Sequence, residues 1–364
     1  MTVERLIEGW SEQTRSAVTG RHVLAIQDTS EINFRTTPER RCGLGEIGKG
    51  TGRGVLVHAM VAVDAANGSG LGVVAGSVYT RHGRIETLHT KRPLEEKESR
   101  RWIDTGEAAK SVLAAAAAVT VVADRESDIY AEWATLPGDH FPLLTRVMQD
   151  RAVAVGLQPT GLTRGGGTLS SAVEPLPFVA TRAVDLLTTH QRAARRAVLS
   201  LRFGAVAVLK PRSGGLRHLP KKVPLRLIDV IERNPPEGVE PVHWRLLTTH
   251  EVTDAAAAWQ IVEWYRMRWT IEQLFRLMKS HGLRIEDSQL ADADTLIKLT
   301  AIATRAATVI LQIVQARAGK SHEPAGNALT QPEIAVLDGL NATIEGKTAL
   351  QNNPHPTHSL AWAG

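Results

Sequence analysis

The first 147 residues alternate between short, strongly apolar runs and polar segments. HVLAIQD at 22–28 is rich in branched residues and ends on an acid, and VTVVAD at 119–124 has the same form. Each run predicts a buried strand that presents a carboxylate at its C-terminal end. Three further strands are predicted at 55–65, 71–80 and 141–147, the first two joined by a hairpin turn.

Helical signals lie between these strands. A helix is predicted over 93–117, because Pro93 and the acids after it are typical of a helix start. A second helix is predicted over 127–136, and a short one over 3–18. The resulting order is a three-strand meander followed by a strand reached through a helix, which is the plan of ribonuclease-H-like domains. Periodicity alone predicts only an α/β fold.

The pattern changes after residue 147. Short apolar alternations among Pro and Gly predict a β-rich insertion, and helices are predicted from 253 onward. The predicted divisions are an N-terminal remnant at 1–21, the first part of an α/β core with a mixed five-stranded sheet at 22–147, the insertion at 148–250, core helices at 251–320 and a C-terminal helical segment at 321–364. The helices themselves are predicted at 253–280, 291–316 and 331–345.

Composition is that of a globular protein. The chain has 364 residues, 43% hydrophobic and 22% charged. Its longest apolar run, 113–123, is too short to span a bilayer. The N-terminus has no apolar signal stretch, and the single cysteine, Cys42, excludes an intrachain disulfide and a cysteine-based zinc site. We therefore expect a cytoplasmic protein, associated with the nucleoid if it binds DNA.

Positive charge is concentrated in one stretch. The net charge is +5, but residues 182–226 hold eleven Lys or Arg and one acid, so the rest of the chain sums to −5. Two interpretations stay open. The stretch is either a solvated basic face or a surface that binds phosphates with release of counterions.

The segment 263–282 places polar and charged side chains on one face of a predicted helix. The residues on that face are separated by 3, 4, 4 and 3 positions, and a separate apolar stripe lies on another face. Ordinary salt pairing between positions four apart is the structural alternative. The polar face consists of Tyr265, Arg268, Glu272, Arg276 and Lys279, and the apolar stripe of Met267, Ile271, Leu274 and Met278.

Three acids are candidates for one site: Asp28, Asp124 and Glu272. Two divalent cations about 3.5–4 Å apart can activate a water or a 3′-hydroxyl and stabilise the leaving oxygen of a phosphodiester. Mg²⁺ prefers oxygen ligands and keeps several waters, so a few carboxylates suffice. The acids and the flanking cations therefore predict phosphodiester chemistry.

Neighbouring residues compete for these roles. Glu126 and Asp128 lie beyond the strand end and are expected to cap the next helix, whereas Glu31 is expected to support Asp28. His58 and His281 are interpreted as structural residues rather than metal ligands.

The spacing Tyr265–x2–Arg268–x3–Glu272–x6–Lys279 resembles the Y-R-E-K signature of the IS-four type bacterial transposases, a DDE family. VVADRESDIYAEW at 121–133 is similar to the family's second-aspartate motif, and LAIQDTSEINF at 24–34 to its first. Resemblance to the Tn-five type enzyme runs in order from about residue 20 to about 320.

This resemblance implies a ribonuclease-H-like transposase with Asp28, Asp124 and Glu272 as catalytic ligands of two Mg²⁺ ions, for which Mn²⁺ would substitute. It implies cut-and-paste chemistry on double-stranded DNA through nicking, hairpin formation and strand transfer, by a homodimer in a synaptic complex. The implied DNA contacts are Tyr265, Arg268, Lys279, Trp244 and Arg146, and helix geometry adds Arg276.

Three alternatives stay open. Trp244 either supports a flipped base or is a core aromatic residue, and Arg146 is either a DNA contact or a surface arginine. Relatives have a helical end-binding domain before the first aspartate and further helices after the last, so this chain is expected to be truncated. The competing function is then a transposition-incompetent DNA-binding remnant or an inhibitor of a full-length enzyme. A housekeeping metal nuclease on the same fold is disfavoured by the Y-R-E-K spacing.

Overall fold

The computed structural model describes residues 1–34, 43–48, 52–81, 92–154, 166–186, 194–212, 216–346 and 348–364. Cys42 lies outside these residues. The chain is a mixed α/β protein that divides into two compact units. The first comprises Met1–Glu86, Arg101–Val121 and Met267–Gly364, and the second comprises Thr87–Arg100 and Val122–Arg266.

Unit 1 is built on a sheet with strand order β2-β3-β1-β5, and β4 also pairs with β3. β1 runs antiparallel to β3, with Asp28 opposite Ala59. Nearly every residue of β3 is buried, so this strand forms the centre of the core. The strands are β1 (His22–Asn33), β2 (Gly45–Ile47), β3 (Gly52–Asp64), β4 (Gly70–Tyr79) and β5 (Ala118–Ala123), which continues from unit 1 into unit 2.

Two expectations about this sheet were wrong. Asp28 lies in the middle of β1, because pairing with β3 continues as far as Asn33 opposite Gly54. The glycine-rich segment at 40–54, whose composition predicts a polar loop, includes β2, which is antiparallel to the start of β3. By contrast, Asp124 directly follows β5, as predicted.

Four helices of unit 1, α1, α2, α7 and α8, contact this sheet. The long helix α8 contacts β4, β3 and α7. Its length and composition alone would allow it to cross a membrane, although 44% of the relevant window is buried within the protein. The helices are α1 (Val3–Glu8), α2 (Thr14–Ala17), α3 (Arg100–Val112), α7 (Trp269–Arg276), α8 (Ala293–Arg317) and α9 (Gln331–Ile344).

Unit 2 is β-rich. Its strand order, starting from the end of β5, is β5-β6-β12-β11-β10-β7-β8, with β9 on β10. The strands are β6 (Leu143–Arg146), β7 (Ala152–Ala154), β8 (Gly166–Thr168), β9 (Ala180–Leu186), β10 (Arg195–Leu209), β11 (Lys222–Glu232) and β12 (His243–Thr248); the helices are α4 (Tyr130–Thr135), α5 (Leu169–Val173) and α6 (Ala255–Met267).

The continuous helix predicted over 253–280 is interrupted. α6 ends at Met267, α7 begins at Trp269, and a π-helical turn at Leu277–His281 follows α7. The final stretch at 352–364, in which the sequence predicts no helix or strand, packs Leu360 and Ala361 against Ala316 and Ala328.

Candidate metal and phosphate site

Asp28 is a restrained carboxylate on β1. Its side chain is 15% exposed, and the backbone N–H of Thr29 donates to its Oδ1 at 2.8 Å. That hydrogen bond limits rotation of the carboxylate and leaves Oδ2 for another partner. Asp28 therefore presents one oxygen to the side chains that face it.

Arg268 joins Asp28 to Glu272. Its Nη1 lies 3.4 Å from Asp28 Oδ2, and its Nη2 donates to Glu272 Oε1 one helical turn further along. The predicted salt pair between positions 268 and 272 is therefore present, but the same guanidinium also contacts β1. Two of the three predicted metal ligands thus share one cation.

Glu272 is held by the packing of α7. The predicted apolar stripe is confirmed at Ile271, Leu274 and Met278, all of which are fully buried, while Met267 is half-buried. Burial of this face fixes the rotation of α7, so that Glu272 remains partly exposed on the other side. The sequence predicted this arrangement from spacing alone.

Thr29, the neighbour of Asp28 on β1, is held by two further side chains. Thr29 lies opposite His58 on β3, and its Oγ1 is 2.8 Å from His58 Nδ1. Arg101 Nε donates to the same Oγ1 at 3.1 Å. His58 is fully buried edge-on against Trp102, with ring centroids 4.8 Å apart. Its interpretation as a structural histidine is supported.

Burial, reinforced by the positive charge of Arg101, holds the pKa of His58 well below its ordinary value. His58 is therefore neutral at physiological pH. The contact between Thr29 and His58 could not be predicted from the sequence, because the two residues meet through cross-strand pairing.

Asp124 belongs to unit 2. It is half-buried and caps the 3-10 turn at Arg125–Ser127, with its Oδ1 accepting from the backbone N–H of Glu126 at 2.8 Å. Within the described ranges, no cluster of three or more His, Cys, Asp or Glu is arranged to hold a metal ion. Convergence of Asp124 with the other two acids stays a prediction.

The expectation that Asp128 caps the next helix was wrong. Ile129 precedes α4 without a side-chain cap, whereas Asp128 accepts from the backbone N–H groups of Met148 and Gln149 and pairs with Arg151. Asp128 thus anchors the segment after β6. Its carboxylate is buried, so it is a structural acid.

Lys279 lies on the π-helical turn beyond α7. Burial lowers its pKa from the ordinary value, although the negative charges of Glu286 and Glu31 act in the opposite direction. Glu31 also pairs with Arg81 at 3.0 Å. Arg276 is exposed. The predicted cationic face is therefore uneven, with one half-buried amine and one exposed guanidinium.

The remaining predicted DNA contacts lie in unit 2. Tyr265 is 5% exposed, and Trp244 is half-buried with its ring centroid 6.2 Å from that of Tyr265. Arg146 donates from Nη2 to the backbone carbonyl of His243 at 3.0 Å. The two aromatic residues thus pack on each other, which favours the interpretation of Trp244 as a core aromatic residue.

The basic stretch is largely neutralised where it crosses the strands. Arg202 pairs with buried Asp229 at 2.9 Å, and Arg195 with buried Glu232. Arg226 and Arg182 also have acidic partners, Glu251 and Glu263. Exposed cations remain around the turn between β10 and β11, at Arg212, Arg217, Lys221 and Lys222.

Comparison with protein-family models gives no match to this sequence.

Proposed function

We propose that this chain is a DDE transposase of the IS-four type, in which Asp28, Asp124 and Glu272 bind two Mg²⁺ ions. The main support is that Asp28 and Glu272, far apart in the chain, are brought onto one guanidinium in unit 1. A pair of carboxylates that already shares a cation is a fitting donor set for a hard divalent ion, which prefers oxygen ligands.

Strand order supports the ribonuclease-H-like part of the proposal. β4, β3 and β1 form an antiparallel meander, and β5, reached through α3, lies beside β1. Asp28 lies on the central strand β1, and Asp124 follows its neighbour β5. This sequence of elements is the mixed-sheet plan expected for the fold.

The chain's own residues would position the reacting DNA. Asp28, fixed by Thr29, and Glu272, fixed by the buried face of α7, would hold the ions and orient the scissile phosphate between them. Bound Mg²⁺ supplies Lewis-acid activation of the attacking water or 3′-hydroxyl. Arg276 and Lys279 would hold the flanking phosphates, since charge-assisted hydrogen bonds to phosphate are strong.

Double-stranded DNA is the proposed substrate, and a homodimer the proposed assembly at transposon ends. Tyr265, Trp244 and Arg146 are proposed contacts near the cleavage site. Because Trp244 packs on Tyr265, a role in holding a flipped base requires the indole to leave this contact, and base stacking worth about 1–3 kcal/mol would replace it.

The test is nicking of duplex DNA that carries the sequences flanking the gene. We expect Mg²⁺-dependent nicking by the parent chain and no nicking by Asp28→Asn, Asp124→Asn or Glu272→Gln. Glu126→Gln is the matched control, since Glu126 is an exposed acid two positions from Asp124. It should nick like the parent.

Cleavage by all three carboxylate variants at the parental rate would refute the site. If Asp28→Asn and Glu272→Gln lose nicking but Asp124→Asn nicks normally, then Asp124 alone does not belong to the metal site. Duplex binding by a parent chain that never nicks would favour the DNA-binding remnant.

A further inference from the structure

We propose that Arg268 is a built-in counter-ion of the Asp28–Glu272 pair, which a divalent cation must displace in order to bind there. The proposal rests on the metal-ligand role proposed above for these two carboxylates. It assigns to Arg268 a role in metal loading, in addition to any contact with phosphate.

The geometry points to competition. Arg268 contacts both carboxylates through different nitrogens of one planar group, and its side chain is 16% exposed. The carboxylates are 15% and 32% exposed for Asp28 and Glu272. Arg268 thus fills a sheltered position between two oxygen donors, where a metal ion bound to both would also lie.

An ordinary helical salt pair would not require this arrangement. Arg268 and Glu272 are four positions apart and could pair without help from the sheet. The second contact, to Asp28 on β1, depends on the turn between α6 and α7, where Arg268 precedes the first residue of α7. Arg268 therefore links α7 to β1 at the carboxylates themselves.

Charge balance indicates what displacement does. Two anions held close together repel each other, and the guanidinium offsets part of that repulsion until an ion arrives. A divalent ion supplies more charge than the guanidinium, so Arg268 becomes free to turn to another anion. The proposal thus makes metal binding the event that releases this arginine toward a phosphate.

The experiment measures Mn²⁺ binding in the absence of DNA, by electron paramagnetic resonance, on the full chain. We expect Arg268→Gln to bind Mn²⁺ roughly tenfold more tightly than the parent, because a partly buried competing charge next to both ligands is gone. Arg268→Lys keeps the charge but not the two-pronged geometry, and a smaller tightening is expected.

Arg266→Gln is the matched control, because Arg266 lies two positions before Arg268, at the end of α6, and pairs with Glu263 on the same helix. Its Mn²⁺ affinity should equal that of the parent. The tightening should also vanish when Asp28→Asn is combined with Arg268→Gln. Circular dichroism identifies any variant that does not fold. If Arg268→Gln does not fold, the Mn²⁺ affinity of Arg268→Lys tests the proposal.

Equal or weaker Mn²⁺ binding by folded Arg268→Gln and Arg268→Lys would overturn the proposal, because Arg268 would then support the metal site instead of competing for it. Nicking that depends on the three acids would survive that result. Conversely, the expected Mn²⁺ affinities in a chain that never nicks DNA would refute the proposed function. They would still support displacement of Arg268 by a divalent cation.

Discussion

At the scale of single residues, Asp229 on β11 is a carboxylate that joins several basic side chains of unit 2. It is fully buried and accepts from Arg202 Nε at 2.9 Å, His243 Nε2 at 2.7 Å and Arg245 Nε at 3.3 Å. Burial alone would raise the pKa of Asp229, but the hydrogen bonds from His243 and Arg202 outweigh it and lower the pKa. The Asp229 carboxylate thus links basic side chains on β10 and β12 to β11.

We predict that Asp229→Asn lowers the free energy of unfolding by about 3–5 kcal/mol at pH 7, because it removes the buried charge that pairs with the partly buried Arg202 and Arg245. Urea titrations measure the change. Since the folded pKa lies below the unfolded value, the stabilisation is present above about pH 4 and is lost as the pH falls through the folded pKa. The free energy of unfolding of Asp229→Asn should therefore fall less than that of the parent as the pH is lowered below about 4.

Glu251→Gln is the control for that measurement. Glu251 pairs with Arg226, also on β11, but its side chain is 77% exposed, so the loss should stay below about 1 kcal/mol. Equal losses in the two variants would mean that burial of Asp229 does not determine its contribution.

At the scale of elements, the sequence predicted positions better than boundaries. The position of Asp124 directly after β5 was predictable because an apolar run ends just before it, and the pairing of Glu272 with Arg268 because their spacing fits one helical turn. The break after Met267 and the π-helical turn were not predictable, since both follow from packing against other elements. The bridge from Arg268 to Asp28 likewise depends on the approach of α7 to β1.

The π-helical turn leads to a prediction for Lys279. Lys279→Ala should weaken duplex binding and reduce the slope of log affinity against log salt by about 0.9, the value for one phosphate contact. Fluorescence anisotropy over a salt series measures this slope.

Lys298→Ala is the control for the Lys279 measurement, because Lys298 already pairs with Asp294 on α8. A lower melting temperature for Lys279→Ala with an unchanged salt slope would mean that Lys279 only balances Glu31 and Glu286.

At the scale of the whole molecule, the net charge of a stretch is a poor guide to how much free positive charge its surface presents. The sequence showed a +10 stretch, but the structure pairs Arg182, Arg195, Arg202 and Arg226 with acids that lie elsewhere in the chain or beyond the stretch. Such pairing could not be predicted, because the acids come from other strands and helices. Among the described residues of the stretch, Arg196 and the cations near the β10–β11 turn remain exposed.

We predict that Lys221→Ala combined with Lys222→Ala reduces the salt slope of duplex binding by about 2, since two phosphate contacts are lost. Both residues are exposed at the start of β11. Arg226→Gln is the control, because this arginine already has an acidic partner, and its slope should change less. Equal slopes in the parent and the double variant would exclude the turn as a DNA-binding surface.

The break after Met267 also changes what the Y-R-E-K spacing means. Tyr265 belongs to α6, Glu272 to α7 and Lys279 to the π-helical turn, so only the interval from Arg268 to Glu272 is a single regular turn. Adding or deleting one residue within that interval would rotate Glu272 by about 100° away from Asp28. Length changes at the two junctions, before Arg268 and after Arg276, would leave this turn itself unchanged.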